Sequence, residues 1–172
     1  MKILIIEDGE KNVESLKAQI REHLGGGHEL TIIGTAKDLR PHLPKIREHE
    51  YDLVLTDMYI PAGWDPSYGP DLDRDTVTPA GLIATVTALY SQVPVFLCTD
   101  ANGHKDLLGL LLEAFDDVGY DQPDKERGRC AFSVYTRPNT QGGKMWQLGY
   151  LMGKDPNWLE FLKSKNLQLK NV

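Results

Sequence analysis

The chain predicts an α/β fold built on a parallel sheet, and three observations carry that prediction. Short apolar runs alternate with longer amphipathic stretches along the 172 residues, the pattern of strands joined by crossover helices. Runs such as DLVL and PVFLC are continuously apolar, as parallel strands covered on both faces require. Two of the runs end on acids: KILIIED closes on Glu7 and Asp8, and YDLVLTDMYIP closes on Asp57. Side chains just past the ends of parallel strands gather at one rim, where open α/β sheets bind ligands.

Residues 2–6 read as a buried strand. Val13, Leu16, Ile20 and Leu24 then recur at helical spacing over 11–24, and Gly25, Gly26 and Gly27 end that helix. A second strand is expected at 29–34. A short helix is expected over 36–49, its start disturbed by Pro41 and Pro44. Residues 52–56 make a third strand. The pattern then breaks: Pro61, Pro66, Pro70 and Pro79 stand among glycines and aspartates, so 61–79 reads as a long loop of the kind that carries function in compact domains. A helix is expected from about Ala80 to Ser91, a strand at 94–98, a leucine-rich helix at 103–116 and an irregular charged stretch at 117–128. CAFSVY at 130–135 is a fifth strand, with one or two closing helices at 144–152 and 156–165. One domain over 1–172 is expected, with insertions at about 61–79 and 117–128.

Composition limits the function. The apolar fraction is 41% and the charged fraction 26%, values of ordinary globular proteins. The net charge of -6 argues against a nucleic-acid partner, because a duplex-binding face needs clustered Lys and Arg. No apolar run approaches a membrane span, and the first residues enter a strand without a signal-peptide pattern. Cys98 and Cys130 are the two cysteines and lie in apolar, strand-like runs. They read as buried free thiols, and a cytoplasmic location is expected.

The acidic strand ends suggest the chemistry. Carboxylates converging from two strands repel one another unless a hard cation sits between them. Mg²⁺ suits such a place, being held by one or two carboxylates together with waters and phosphate oxygens.

In this order and strand context, Glu7 and Asp8, then Asp57 followed by Met58 and Pro61, then Gly81, then Thr99 in VPVFLCTD, and finally Arg137-Pro138 resemble the receiver domain of bacterial two-component response regulators. The resemblance covers most of residues 1–138. It implies a flavodoxin-like three-layer sandwich with a five-stranded parallel sheet of order 2-1-3-4-5. It also implies Asp57 as phosphoacceptor, with Mg²⁺ held by Glu7, Asp8, Asp57 and the backbone carbonyl of Tyr59, Glu7 acting partly through a coordinated water. Thr99 would be the switch hydroxyl and Arg137 the cationic partner. The implied partners are a histidine kinase or phosphotransfer protein as donor and a downstream protein as target. That target would be met through the face of the fourth helix, fifth strand and fifth helix.

Several positions depart from the family pattern. Arg137 stands where the family has lysine. A guanidinium fork is not interchangeable with an ammonium, so Arg137 pairs with Asp57 or phosphoryl oxygens, or else points into solvent, with Lys144 a possible substitute. Asp100 replaces a small residue and either caps the following helix or adds negative charge at the site's mouth. Val134 occupies the position of the switch aromatic, one residue before Tyr135. These departures motivate a second reading, an unphosphorylated receiver-like interaction module. A third is a small Mg²⁺-dependent phosphatase or phosphotransferase.

Other motifs are weaker. Asp71, Asp73 and Asp75 alternate as in a calcium loop, but Thr76 and Leu82 stand where glycine and glutamate are needed. DRDTVT resembles a haloacid-dehalogenase nucleophile motif but follows a loop instead of a strand. TQGGKM has Pro138 in place of the first glycine of a phosphate-binding loop. His23, His28, His42, His49 and His104 show no metal-ligand spacing. Trp64 and Tyr68 either form a lid or partner contact or pin the loop to the body.

Overall fold

The computed structural model describes residues 1–63, 76–99 and 132–136. Seven strands, four α-helices and one 3₁₀ turn are described. They are β1 (Lys2–Ile6), α1 (Glu10–Leu24), β2 (Glu29–Ile33), α2 (Ala36–Leu39), a 3₁₀ turn (Arg40–His42), α3 (Leu43–Arg47), β3 (Leu53–Asp57), β4 (Ile60–Pro61), β5 (Val77–Thr78), α4 (Ala80–Tyr90), β6 (Val95–Thr99) and β7 (Phe132–Thr136). The helices expected at 103–116, 144–152 and 156–165, the stretch at 117–128 and Cys130 lie outside the described residues.

Five strands form one sheet in the order β2-β1-β3-β6-β7, and every pairing in it is parallel. Setting aside the two-residue strands β4 and β5, this is the order 2-1-3-4-5, the doubly wound arrangement of flavodoxin-like folds. The fold class read from the sequence is therefore the observed one.

The burial pattern explains the apolar runs. Every residue of β3 is buried, and so is every residue of β1 after Lys2. Strand side chains alternate between faces, so burial at successive positions means that both faces are covered. One face presents Leu4, Ile6, Val54, Val95 and Leu97 to a cluster with Leu39, Ile46, Ala80, Ala84 and Ala88. Ile3, Ile5, Leu53, Leu55 and Phe96 alternate with them and are also buried. α1 contributes Val13, Leu16 and Ile20 to the interior, the helical-period residues of the sequence. β2 is an edge strand and carries exposed residues.

Two details differ from the sequence expectation. The helix expected over 36–49 is broken into α2, the 3₁₀ turn and α3, with a proline at the first or second position of the last two. Proline is accommodated there because the first-turn N–H groups have no intrahelical acceptor. The loop at 61–79 is closed at its root: β4 and β5 pair antiparallel, Ile60 with Thr78 and Pro61 with Val77. The Ala62 N–H donates to Thr76 O at 2.7 Å and the Lys37 N–H donates to Ala62 O at 3.0 Å. This root is thereby fastened to the start of α2. Gly63, at φ +74°, packs so closely that a Cβ there would lie 3.0 Å from Thr35.

Candidate functional site

The strand order places β1 and β3 side by side at the centre, with Ile6 paired to Thr56. Their C-terminal ends therefore reach the same level. β2 lies on one side of β1 and β6 on the far side of β3, so the chain's winding reverses between β1 and β3. This topological switch point is where such sheets open a crevice for ligands.

Glu7, Asp8 and Asp57 meet there. One carboxylate oxygen from each lies within 4.8 Å of the others. Glu7 is 2% exposed and Asp57 is fully buried, whereas Asp8 is exposed. Two carboxylates thus form the floor and the third faces solvent. Glu7 and Asp8 also precede Gly9, the N-cap of α1, where unsatisfied N–H groups and the helix dipole favour negative charge.

Hydrogen bonds hold Glu7 and Asp57 in place. The Glu7 N–H donates to Ile33 O at 2.9 Å, extending the β1–β2 ladder by one residue. Glu7 Oε1 accepts from the Gly9 N–H at 3.0 Å and from Asn12 Nδ2 at 3.1 Å. Asp57 is the last residue of β3, and its Oδ1 accepts from the Tyr59 N–H at 3.4 Å. The Tyr59 carbonyl, the expected backbone ligand, belongs to the same short step between β3 and β4. Behind Asp57, Thr56 Oγ1 donates to Asp57 O at 2.7 Å, and the Gly81 N–H donates to Met58 O at 3.1 Å. A Cβ on Gly81 would fall 1.6 Å from Asp57 O and 2.6 Å from Thr56 Oγ1. Only glycine lets α4 approach the strand end this closely.

The donor set suits a hard divalent cation. It consists of carboxylates with no soft ligand, and oxygens on opposite sides of one Mg²⁺ stand about 4 Å apart. Separations within 4.8 Å are within a small side-chain adjustment of that value, or of one water-bridged contact. The sequence-predicted acids are thus brought together.

Thr99 ends β6, one residue beyond Cys98, the register partner of Asp57. In the next strand Cys98 pairs with Tyr135 and Thr99 with Thr136. Tyr135 therefore lies level with Asp57, and Val134 one step below. The Thr99 side chain, Asp100, Arg137, Lys144, Trp64, Tyr68, His104 and the 71–75 aspartates lie outside what is described. Sequence reasoning missed Gly9, Asn12 and Thr56. Their signals were faint: a glycine after two acids, an asparagine in a first helical turn, and a threonine in an otherwise apolar strand.

Fold and rim together define a doubly wound α/β domain with an acidic crevice at its switch point. Among solved structures the chain is similar to the non-phosphorylated HemR receiver domain from Leptospira biflexa, at 16% identity over 92% of this chain and 93% of that one, with a TM-score of 0.48. It is similar to a CheY-like response regulator receiver domain protein from Methanospirillum hungatei JF-1 at 20% identity, 95% and 97% coverage and a TM-score of 0.47. It is also similar to a signal receiver domain of an HD domain-containing protein from Pseudomonas fluorescens Pf-5, at 18% identity, 95% and 97% coverage and a TM-score of 0.46. No protein-family model matches the chain, and no curated protein matches it. At these identities and scores the likenesses assign no residue role and no activity.

Proposed function

We propose that this protein is a response-regulator receiver that accepts a phosphoryl group on Asp57 from a phosphohistidine of a histidine kinase or phosphotransfer protein. The observation that carries the reading is the convergence of Glu7, Asp8 and Asp57 at the switch point of a 2-1-3-4-5 sheet. A carboxylate is a competent nucleophile toward phosphorus. Transfer forms an O–P bond at Asp57 and breaks the N–P bond of the donor, whose imidazole nitrogen leaves and takes up a proton. Because the phosphoryl transition state is loose, the protein's task is positioning and charge neutralisation.

Glu7, Asp8, Asp57 and the Tyr59 carbonyl would hold Mg²⁺, which when bound neutralises phosphoryl oxygens. The chain's own residues do the rest. Gly81 keeps the end of β3 rigid, the Tyr59 N–H orients the nucleophilic carboxylate, and exposed Asp8 leaves the crevice open to an incoming donor. By the receiver resemblance, Thr99 hydrogen-bonds the transferred group and Arg137 supplies the cationic partner. The signal then passes to a downstream protein.

The test is incubation with a small acyl phosphate and Mg²⁺, read by intact mass. One phosphoryl group should add to the wild type and none to Asp57→Asn. Absence of any adduct on the wild type would overturn the reading in favour of an unphosphorylated interaction module. Continuous turnover of phosphate esters would favour a small phosphatase.

A further inference from the structure

We infer that Asn12 is a positioning residue for the acidic rim: its side-chain amide holds the Glu7 carboxylate in the orientation needed to take up a hard divalent cation. The inference rests on the reading of that rim as a cation site.

Glu7 has three side-chain torsions, and fixing such a chain costs rotamer freedom. The structure supplies two donors to one of its oxygens, the Gly9 N–H at 3.0 Å and Asn12 Nδ2 at 3.1 Å. An ionised carboxylate only accepts, so the amide must present its NH₂ side. The donors come from different places. Gly9 belongs to the turn that leaves β1, whereas Asn12 lies in the first turn of α1, five residues from Glu7. Together they hold Oε1 of the carboxylate from two directions.

The three residues are built as a unit. A Cβ on Gly9 would lie 2.9 Å from Asn12 Nδ2 and 3.1 Å from Glu7 Oε1. Glycine at this N-cap therefore leaves room for the amide to reach the acid. Gly9 has no side chain with which to cap α1, and the Asn12 side chain turns back toward the acidic rim. Outer partners that orient a metal-binding carboxylate typically change affinity by tenfold to a hundredfold when removed.

The test uses the full chain and Mn²⁺ as probe, with free Mn²⁺ read by electron paramagnetic resonance. Melting temperatures in chelator are recorded alongside. Asn12→Leu, which keeps the branched heavy-atom shape but has no donor, should weaken Mn²⁺ binding about tenfold or more while the metal-free melting temperature barely moves. Asn12→Gln, which keeps the amide on a longer arm, should restore part of the affinity. A wild type that does not bind Mn²⁺ would overturn the cation reading itself. If the wild type binds and Asn12→Leu binds within about twofold of it, only the role of Asn12 is overturned. A Leu variant that loses affinity together with metal-free stability, with no recovery in Gln, would show that the bond merely holds the start of α1.

Discussion

At the scale of single residues, steric fit and burial decide the outcome. Gly81 is required by approach distance, since a methyl group there would collide with the backbone carbonyl of Asp57 at 1.6 Å. Relieving that contact means moving α4 or the end of β3. Gly81→Ala should therefore cost about 3 kcal/mol, the upper end of overpacking effects, measured by urea unfolding. It should also disturb the acidic rim.

A second residue-scale effect lies away from the rim. Tyr51, 7% exposed, hydrogen-bonds His42 Nδ1, and the two rings lie 6.0 Å apart and tilted by 37°. Burial pushes the His42 pKa below its ordinary value of 6.5, with Lys45 adding to the effect and Asp38 and Glu50 opposing it. The folded state thus binds protons less readily than the unfolded chain. The resulting stability is present above the unfolded pKa and is lost as pH falls through the folded one. The melting-temperature advantage of wild type over His42→Asn should shrink between about pH 8 and about pH 5, and a constant difference would refute the linkage.

At the scale of elements, caps and connections do what strand and helix propensity do not. α3 and α4 are each followed, just past the C-cap, by a non-glycine residue with positive φ, His49 at 58° and Gln92 at 57°. Beyond α4, the Gln92 N–H donates to Leu89 O and the Val93 N–H to Ala88 O, the reciprocal closure usually made with glycine. Gln92 therefore bears the steric penalty that glycine avoids. Gln92→Gly should raise stability by about 0.5–1 kcal/mol in thermal or urea unfolding. An unchanged or lower value would mean that the glutamine side chain makes a compensating contact. Such a position is invisible to sequence patterning, because nothing in the apolar periodicity of ATVTALYSQV marks a left-handed residue. The hairpin of β4 and β5 was equally hidden. Proline and glycine signalled a loop over 61–79, but the pairing of its ends depends on residues 60 and 78 meeting in space.

At the scale of the whole molecule, the sheet's winding creates a concentration of like charge. Three acids that are modest individually meet within 4.8 Å, and two of them are buried. Their repulsion opposes folding, and a cation that binds only the folded state reverses it. Saturating Mg²⁺ at about a hundred times its dissociation constant should stabilise the wild type by about 2.7 kcal/mol. In chelator, Asp57→Asn should be more stable than wild type by on the order of 1 kcal/mol, since removing one of several clustered carboxylates relieves their repulsion. The same variant should lose most of the Mg²⁺ effect. A wild-type melting curve indifferent to Mg²⁺ would contradict both expectations. The buried central strands and the acidic ends were legible in the sequence because apolar runs and their terminal residues are local features. Asn12, Gly9 and Thr56 were not, because their roles consist of contacts to atoms several residues or a whole strand away.

By itself the sequence determined that short apolar strands would alternate with helices and that Glu7, Asp8 and Asp57 would stand at strand ends. Hydrophobic periodicity and turn residues are properties of neighbouring positions, and they were enough for that. Only the tertiary structure decided that β1 and β3 lie adjacent, that α4 presses Gly81 onto the Asp57 carbonyl, and that Asn12 reaches the Glu7 carboxylate. Those facts depend on which distant segments share a register and how closely they pack, and no local pattern encodes a distance between separate strands.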